Sequence, residues 1–271
     1  MKLQLVPART GILWVRLGVR TFWRQPMALT GLFFLCMAAM SLATVLPLVG
    51  TALALALLPS ATLVMMVASA DTEGSSSRLA APALMVSALR SARQRLRSMA
   101  LLGLLYAAGF LLLLGLSALV DGGEFAGVYL GVHPVTQELA ESGRFQAAMW
   151  LAVLLYLPLS LLFWHAPALV HWWGVAPVKA MFFSAVACLR NIGAFSVYAL
   201  GWAGLFMATG IVVSLVLTVL SELGMGTGLA ASVLVTTAIV LAAMFFSSIV
   251  FSFRDCFEPT ARAPVPEDGT A

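Results

Sequence analysis

Six apolar segments follow one another along the chain, separated by shorter polar stretches, and each is long enough to cross a membrane as a helix. A hydrocarbon core roughly 30 Å thick needs about 20 mainly apolar residues per helix. The pattern therefore predicts an all-α fold with six transmembrane helices and short connections. Breaks in hydropathy place the predicted spans at Met27–Gly50, Ala52–Ala70, Met99–Val120, Gln146–Ala168, Asn191–Leu220 and Gly228–Phe253.

The composition favours one membrane domain without a separate soluble part. Mean hydropathy is +1.02, apolar residues make up 62% of the chain, and charged residues make up 10%. Soluble domains usually carry about 25% charged residues. We therefore expect a single integral membrane domain at 1–253, followed by a disordered cytoplasmic tail at 254–271.

Basic residues are distributed unequally between the two sides of the six-span pattern. They fall in the N-terminal segment, before the third and fifth predicted spans, and in the tail, whereas Arg144 alone falls on the other side. Basic residues beside spans are retained in the cytoplasm, so both termini are predicted to be cytoplasmic in a bacterial inner membrane. The pI near 9.3 then requires no nucleic-acid partner, because orientation and anionic headgroups account for the basic residues.

A local pattern occurs three times. A proline is followed by arginine-bearing helical sequence, then by arginine with a small polar residue, and then by two spans; the copies begin at Pro7, Pro82 and Pro177. Proline suits the first turn of a helix, where its missing N–H would be unpaired. We therefore predict three repeats of an amphipathic interfacial helix plus a helical hairpin, at about 7–70, 82–169 and 177–253.

The first two amphipathic helices each carry arginines on one stripe, because spacings of three or four residues return to the same helix face. Trp14 and Trp23 are expected to lie beside the first stripe as interfacial aromatics. These arginines are candidate ligands of anionic lipid headgroups; the alternative is that the helices lie in the interface and only fix orientation. The candidate residues are Arg16, Arg20, Arg24, Arg90, Arg93 and Arg97.

His165 and His171 flank Pro167 at the end of the fourth predicted span and form a candidate polar site. Ionisable groups at membrane depth are usually functional, but the three adjacent tryptophans favour a simple interfacial position. The six-residue spacing does not bring both histidines to one face of a straight helix, and no carboxylate is near them in sequence. No metal site is therefore predicted.

Catalytic patterns are missing from the sequence. Acidic residues fall at the ends of predicted spans, and no serine stands in a Gly-x-Ser-x-Gly elbow. We therefore predict a protein that is not an enzyme, uses no cofactor, and organises lipid or a protein partner. The alternative is a transporter or lipid-handling protein, because repeats and proline-broken spans occur in transporters. A cavity at midplane depth, lined by polar residues from different repeats, would favour the alternative.

Small residues in the fifth span form one helix face. Ala199, Ala203, Gly210 and Ser214 are spaced by 4, 7 and 4 residues. Such faces let helices approach closely, so we expect packing within the chain, with homodimerisation as the alternative. The acidic loop from Asp121 to Phe145 is expected to be a connector with a short helix from Pro134 to Glu141. The scattered Cys36, Cys188 and Cys256 are expected to be packing residues.

Two stretches of sequence resemble known families. The run Phe163–Val170, with Val175–Ala180 and Leu189–Asn191, resembles the membrane region attached to some glycerophosphodiester phosphodiesterases. The stretches Phe22–Pro26 and Leu29–Phe34 resemble an uncharacterised six-span inner-membrane protein family of Gram-negative bacteria, over essentially the whole chain. The resemblance implies six spans and an inner-membrane location. It implies no catalytic residues, since the phosphodiesterase chemistry belongs to a separate soluble barrel.

The six-span topology can be tested with reporter fusions. Fusions at Gly74 and Pro266 are expected to give a cytoplasmic signal, and fusions at Gly131 and Gly226 an external one, because the basic segments stay in the cytoplasm. Paired reporters that are active on opposite sides of the membrane measure this directly. A cytoplasmic signal at Gly131 would contradict the topology.

Overall fold

The computed structural model describes residues 2–47, 49–74, 81–222 and 227–257. Within these ranges the regular elements are all α-helices. They are α1 (Thr10–Arg24), α2 (Pro26–Thr44), α3 (Gly50–Gly74), α4 (Ala81–Gln94), α5 (Leu96–Asp121), α6 (Glu124–Tyr129), α7 (Gln137–Glu141), α8 (Gly143–Phe163), α9 (Ala166–Trp173), α10 (Pro177–Arg190), α11 (Ile192–Glu222) and α12 (Thr227–Phe257).

Six candidate membrane spans confirm the all-α polytopic fold. They are α2, α3, α5, α8 continued by α9, α11 and α12. In the text below, the end of the bundle that carries α6 and α7 is the loop side, and the opposite end, with α1 and α4, is the basic side. The acid that follows the third predicted span does end a helix, since α5 stops at Asp121.

The fourth and sixth spans differ in detail from the predicted boundaries. The fourth breaks after Phe163, and α9 restarts with Pro167 in its first turn, where proline is tolerated. Pro158 lies inside α8 without ending it. The last helix continues to Phe257, so the predicted tail begins later than expected; its residues from 258 onward lie outside the described ranges.

The acidic loop holds two short helices rather than one. The predicted start at Pro134 is wrong, because Thr136 is the N-cap of α7 and its hydroxyl accepts a hydrogen bond from the Leu139 N–H at 3.2 Å. A threonine side chain satisfies a free N–H of the first turn, which proline cannot do. Helix α6 was not predicted.

Helix α3 lies at the centre of the bundle. It packs against α2 and α5, and also against α4, α9 and α12. The α8 helix packs on α5, α10 packs on α8, and α1 lies across both α11 and α12. On the basic side this arrangement buries a continuous core that includes Leu63, Met66 and Leu102.

Glycines mark the closest helix contacts. A Cβ added at Gly11 would overlap the carbonyl oxygen of Ala194 in α11, and one added at Gly18 would overlap Ser248 in α12. The same holds for Gly103 of α5 against the backbone of α3. Small residues allow helix backbones in a membrane to approach this closely. The charged helix α1 is therefore docked into the bundle.

The docking of α1 corrects one expectation for its tryptophans. Trp23 is exposed, as expected for an interfacial residue, but Trp14 is fully buried. The Trp14 indole N–H donates to the Asp255 carboxylate at 2.7 Å, and the ring packs against Phe195 and Tyr198. Trp14 can be buried because Asp255 supplies the partner that its N–H requires.

The prediction that the small-residue face of the fifth span packs within the chain is wrong, whereas the alternative of homodimerisation stays a prediction. Ala199, Ala203, Gly210 and Ser214 are all exposed. The helix instead buries a larger face near its start, where aromatic side chains contact α1, because those rings have more apolar surface to remove from water and lipid headgroups. The buried residues of α11 are Ala194, Phe195, Tyr198 and Trp202.

The predicted threefold repeat agrees with the order of the helices, since α1, α4 and α10 each precede a hairpin. The hairpins are not equally packed. Helices α2 and α3 pack closely, as do α5 and α8, whereas α11 contacts α1 more extensively than it contacts α12. Superposition of the three units stays a prediction.

Replacing Gly18 by alanine is expected to destabilise the protein by about 1–3 kcal/mol, because the backbone at Ser248 must move to admit the methyl group. Thermal unfolding in detergent should show a lower midpoint for this variant. Gly31→Ala is the matched control, since a Cβ at Gly31 meets nothing within 4 Å and alanine is the better helix former. Equal midpoints for the two variants would contradict close docking of α1.

Candidate functional site

A cavity of about 880 Å³ lies between the first two hairpins on the loop side. Four spans line it, represented by Met37 of α2, Ala54 of α3, Phe110 of α5 and Val153 of α8, and Phe125 of α6 lines its outer end. Small-molecule sites typically have volumes of about 300–1,000 Å³. The cavity is therefore large enough for a small molecule or part of a lipid.

The cavity extends inward from the loop side. Thr44 and Thr51 lie near the turn between α2 and α3, whereas Tyr106 lies ten residues into α5 from the basic side. At 1.5 Å per residue, Tyr106 is therefore about 15 Å from the start of α5. On the basic side of this level, Leu63 and Leu102 are fully buried in the packed core.

The lining is apolar and aromatic, with a few hydroxyl groups. Among the described residues that line the cavity, none is Asp, Glu, Lys, Arg or His. Ser41, Thr44 and Thr51 supply hydroxyls near the loop side, and three tyrosines supply the others. Placing an unpaired charge in such a space is costly, so the geometry suits an uncharged ligand or the uncharged part of one.

Phe110 joins the three tyrosines of the cavity into one aromatic group. Its ring centroid lies 6.1 Å from Tyr106, 5.2 Å from Tyr129 and 6.1 Å from Tyr156. Tyr106 is 4% exposed and Tyr156 is 40% exposed. Partial burial, with the neighbouring Tyr156, raises the pKa of the Tyr129 phenol in α6. That group therefore stays protonated and can donate a hydrogen bond.

Helix α6 is held at the outer end of the cavity by the chain on either side of it. The Asp121 carboxylate accepts hydrogen bonds from the N–H groups of Gly123 at 2.9 Å and Phe125 at 2.7 Å. Gly122 and Gly123 have φ of 78° and 99°, a region that favours glycine, and they turn the chain from α5 into α6. After α6, His133 Nε2 lies 3.5 Å from the Glu124 carboxylate.

His165 is enclosed by protein, which corrects the exposed interfacial position expected from the sequence. It is fully buried, its backbone N–H donates to Ser184 Oγ at 2.8 Å, and its Nε2 lies 3.1 Å from Ser252 Oγ. Ser184 in turn donates to the Leu161 carbonyl at 2.7 Å. Backbone groups freed by a broken span need such partners within a membrane protein. The arrangement around His165 therefore stabilises the break between α8 and α9.

His171 lies in different surroundings from His165. It is half-buried near the end of α9, where its ring lies 5.7 Å from that of Trp172. The two histidines do not line the cavity. Within the described ranges, no group of three or more His, Cys, Asp or Glu side chains is placed to hold a metal ion.

The arginines expected to bind headgroups are all exposed on the basic side. They are Arg16, Arg20 and Arg24 of α1, Arg90 and Arg93 of α4, and Arg97 in the first turn of α5. Arg24 also donates to the carbonyl oxygen of Glu73 at 3.4 Å, and the Glu73 carboxylate pairs with Arg254 at 3.0 Å. Glu73 thus joins the ends of α1, α3 and α12, while the arginine stripe of α1 faces outward.

Sequence reasoning missed the cavity residues because they come from five separate helices. One clue was present: three of the four tyrosines of the chain, Tyr106, Tyr129 and Tyr156, fall in the second hairpin and its loop. Tyrosine combines an apolar ring with a polar group. Their grouping indicated a polar feature in that hairpin, although not its partner helices.

Comparison with known proteins places the chain in a family. No family model and no solved structure matches it. A probable inner membrane protein of Burkholderia thailandensis is 37% identical over 263 residues, covering 95% of this chain and 94% of that protein. The chain belongs to this family of inner-membrane proteins. With six candidate spans, it is a multi-pass inner-membrane protein. The match gives no support to the resemblance to the phosphodiesterase-linked membrane region.

Proposed function

We propose that this inner-membrane protein is a non-catalytic lipid-binding protein, which holds the apolar part of a membrane lipid between its first two hairpins. The observation that carries the proposal is the cavity of about 880 Å³, lined by four spans and α6. It meets part of the condition that distinguishes the two functions considered for the sequence, because hydroxyl-bearing residues of the first two predicted repeats line it. Lipid handling is therefore favoured over a purely structural role.

The cavity has an apolar route to the surrounding membrane. Met37 of α2 and Val153 of α8 line it and are 41% and 47% exposed. Helix α2 packs on α3 and α8 packs on α5, but across the described residues α2 and α8 do not pack along each other. The groove between α2 and α8 therefore gives an acyl chain a way in from the bilayer without crossing water.

Binding is favoured over transport across the membrane. A transporter exposes its site alternately to both sides, whereas here the space is closed on the basic side. The core beneath it is closed by Leu63, Met66 and Leu102, all fully buried. Acid–base catalysis in the cavity is also disfavoured, because such catalysis uses groups that titrate near neutral pH and the described lining supplies only hydroxyls.

The exposed arginine stripe favours a second role in binding anionic lipid on the basic side. Arg16, Arg20 and Arg24 lie on the face of α1 opposite the buried Trp14 and Phe22. Because α1 is docked, the stripe has a fixed position rather than a floating one. The distribution of basic residues supports a cytoplasmic position for this side, where the leaflet is rich in anionic lipids.

Filling the cavity tests the first role. Replacing Ala54 by phenylalanine is expected to lower lipid affinity about tenfold, because excluding even two methylene groups removes roughly 1.6 kcal/mol of apolar burial. A photoreactive acyl probe in proteoliposomes, followed by mass spectrometry of labelled peptides, measures occupancy. The parent protein should be labelled on the cavity-lining segments of α2, α3, α5 and α8.

Ala203→Phe is the matched control for the cavity variant, because Ala203 is exposed on α11 and does not line the cavity. Labelling of the cavity-lining segments should be unchanged in this control. If Ala54→Phe also leaves that labelling unchanged, the cavity is not a lipid site and the proposed function fails.

Replacing Arg16, Arg20 and Arg24 together by glutamine tests the second role. Each basic side chain near an anionic surface contributes about 1 kcal/mol, and salt screens the effect. Native mass spectrometry at low salt should therefore show fewer bound anionic lipids, with the spans still inserted. Arg144→Gln, an exposed arginine on the loop side, is the control and should leave the lipid count unchanged. Equal counts for the triple variant and its parent would exclude the headgroup role.

A further inference from the structure

The end of the cavity farthest from α6 carries hydrogen-bonding groups, which a lipid tail cannot pair. Tyr106 and Tyr156 both line the cavity. A lipid that entered tail first would place hydrocarbon against these two hydroxyl groups. Polar groups that lose their partners in an apolar medium are unfavourable, so a plain acyl chain is a poor match for this end of the space.

The hydrogen-bonding groups of the two tyrosines define which ligand atom can pair with them. Each phenol has one O–H to donate and an oxygen that accepts. Tyr106 and Tyr156 both line the cavity, so their O–H groups can donate to a ligand placed beside them. A ligand atom at this position must therefore accept a hydrogen bond, as a carbonyl oxygen does.

The charges around the cavity exclude an ionised head at the same position. Ionisable side chains near its outer end are already engaged: Asp121 accepts from two backbone N–H groups, and Glu124 lies 3.5 Å from His133. The described lining itself contains no cation to pair with a phosphate or carboxylate. An anionic head buried there would have no counter-charge, which is strongly unfavourable.

We infer that the ligand is a neutral long-chain lipid with an uncharged carbonyl-bearing head, which rests on the proposed lipid-binding function. The carbonyl oxygen accepts a hydrogen bond from Tyr106 or Tyr156, which both line the cavity. Phe110 lies beside the head, at ring distances of 6.1 Å from both tyrosines. The chain follows the groove between α2 and α8 into the bilayer. This orientation is the reverse of a phospholipid that keeps its charged head at the membrane surface.

Photoreactive probes of equal chain length test the inference. One ends in a methyl ketone, one is a plain hydrocarbon, and one ends in a carboxylate at a pH where it is ionised. The purified full-length protein in nanodiscs should bind the ketone about five- to tenfold more tightly than the hydrocarbon, as expected for one hydrogen bond. The carboxylate should bind more weakly than the ketone.

The variant Tyr106→Phe/Tyr156→Phe should abolish the preference for the ketone and leave hydrocarbon binding in place. Both hydroxyls are removed, because either phenol alone would still have a free O–H to donate. Tyr198→Phe makes the same chemical change outside the cavity, at a hydroxyl that contacts Ser248 at 2.6 Å, and should retain the preference. Elution of each variant as a single species in size-exclusion chromatography confirms folding.

The outcomes separate this inference from the proposed function. Equal binding of all three probes, or tightest binding of the carboxylate, overturns the inference while leaving lipid binding intact if Ala54→Phe still blocks it. A ketone preference that survives in the double tyrosine variant also overturns it. Probe binding that Ala54→Phe does not reduce overturns the proposed function itself.

Discussion

Close contact between helix backbones at glycine residues is the interaction on which the rest of this structure depends. Lipid tails are as apolar as the helices, so burial of apolar surface alone does not hold transmembrane helices together. Gly11 and Gly18 bring α1 against α11 and α12, and Gly103 brings α5 against α3. The contacts at Gly11 and Gly18 fix the basic helix α1 on the bundle. The contact at Gly103 holds α5 against α3, two of the helices that line the cavity.

Several hydroxyl groups inside the bundle are satisfied within their own helix. Ser69, Thr72 and Ser247 each donate to the carbonyl oxygen four residues earlier in their own helix. Such bonds remove the cost of burying a hydroxyl without joining helices. Tyr106 and Tyr156 differ, because their rings line the cavity and their hydroxyl groups can donate to a ligand there.

The basic side of the bundle has a closed core, whereas the loop side contains the cavity. On the basic side, Glu73 pairs with Arg254 and accepts from Arg24, Asp255 accepts from Trp14, and the core beneath is closed. On the loop side, α2 and α8 stand apart and α6 lies at the outer end of the space between them. Rigid packing on one side and an apolar groove on the other suit a protein that binds lipid, since the closed side holds the walls of the groove in place.

Span length and charge placement are local properties of the chain. The six spans, the all-α fold and the arginine stripes could therefore be predicted from the amino-acid sequence. Even so, it misplaced the groups whose surroundings come from distant segments. Trp14 and His165 were predicted to be interfacial, but both are buried. Asp255 is the hydrogen-bond partner of Trp14, and Ser184 and Ser252 are those of His165.

The cavity and the buried face of α11 depend on how the helices pack together, so they could not be predicted from the sequence. The cavity forms where four spans fail to fill the space between them, which depends on their relative positions and not on any one segment. The small residues of α11 have the usual spacing for close packing, yet they are exposed. Helix α1 packs instead against the aromatic face of α11. Hydropathy determines which residues enter the membrane, whereas helix pairing depends on complementary shapes contributed by residues far apart in the chain.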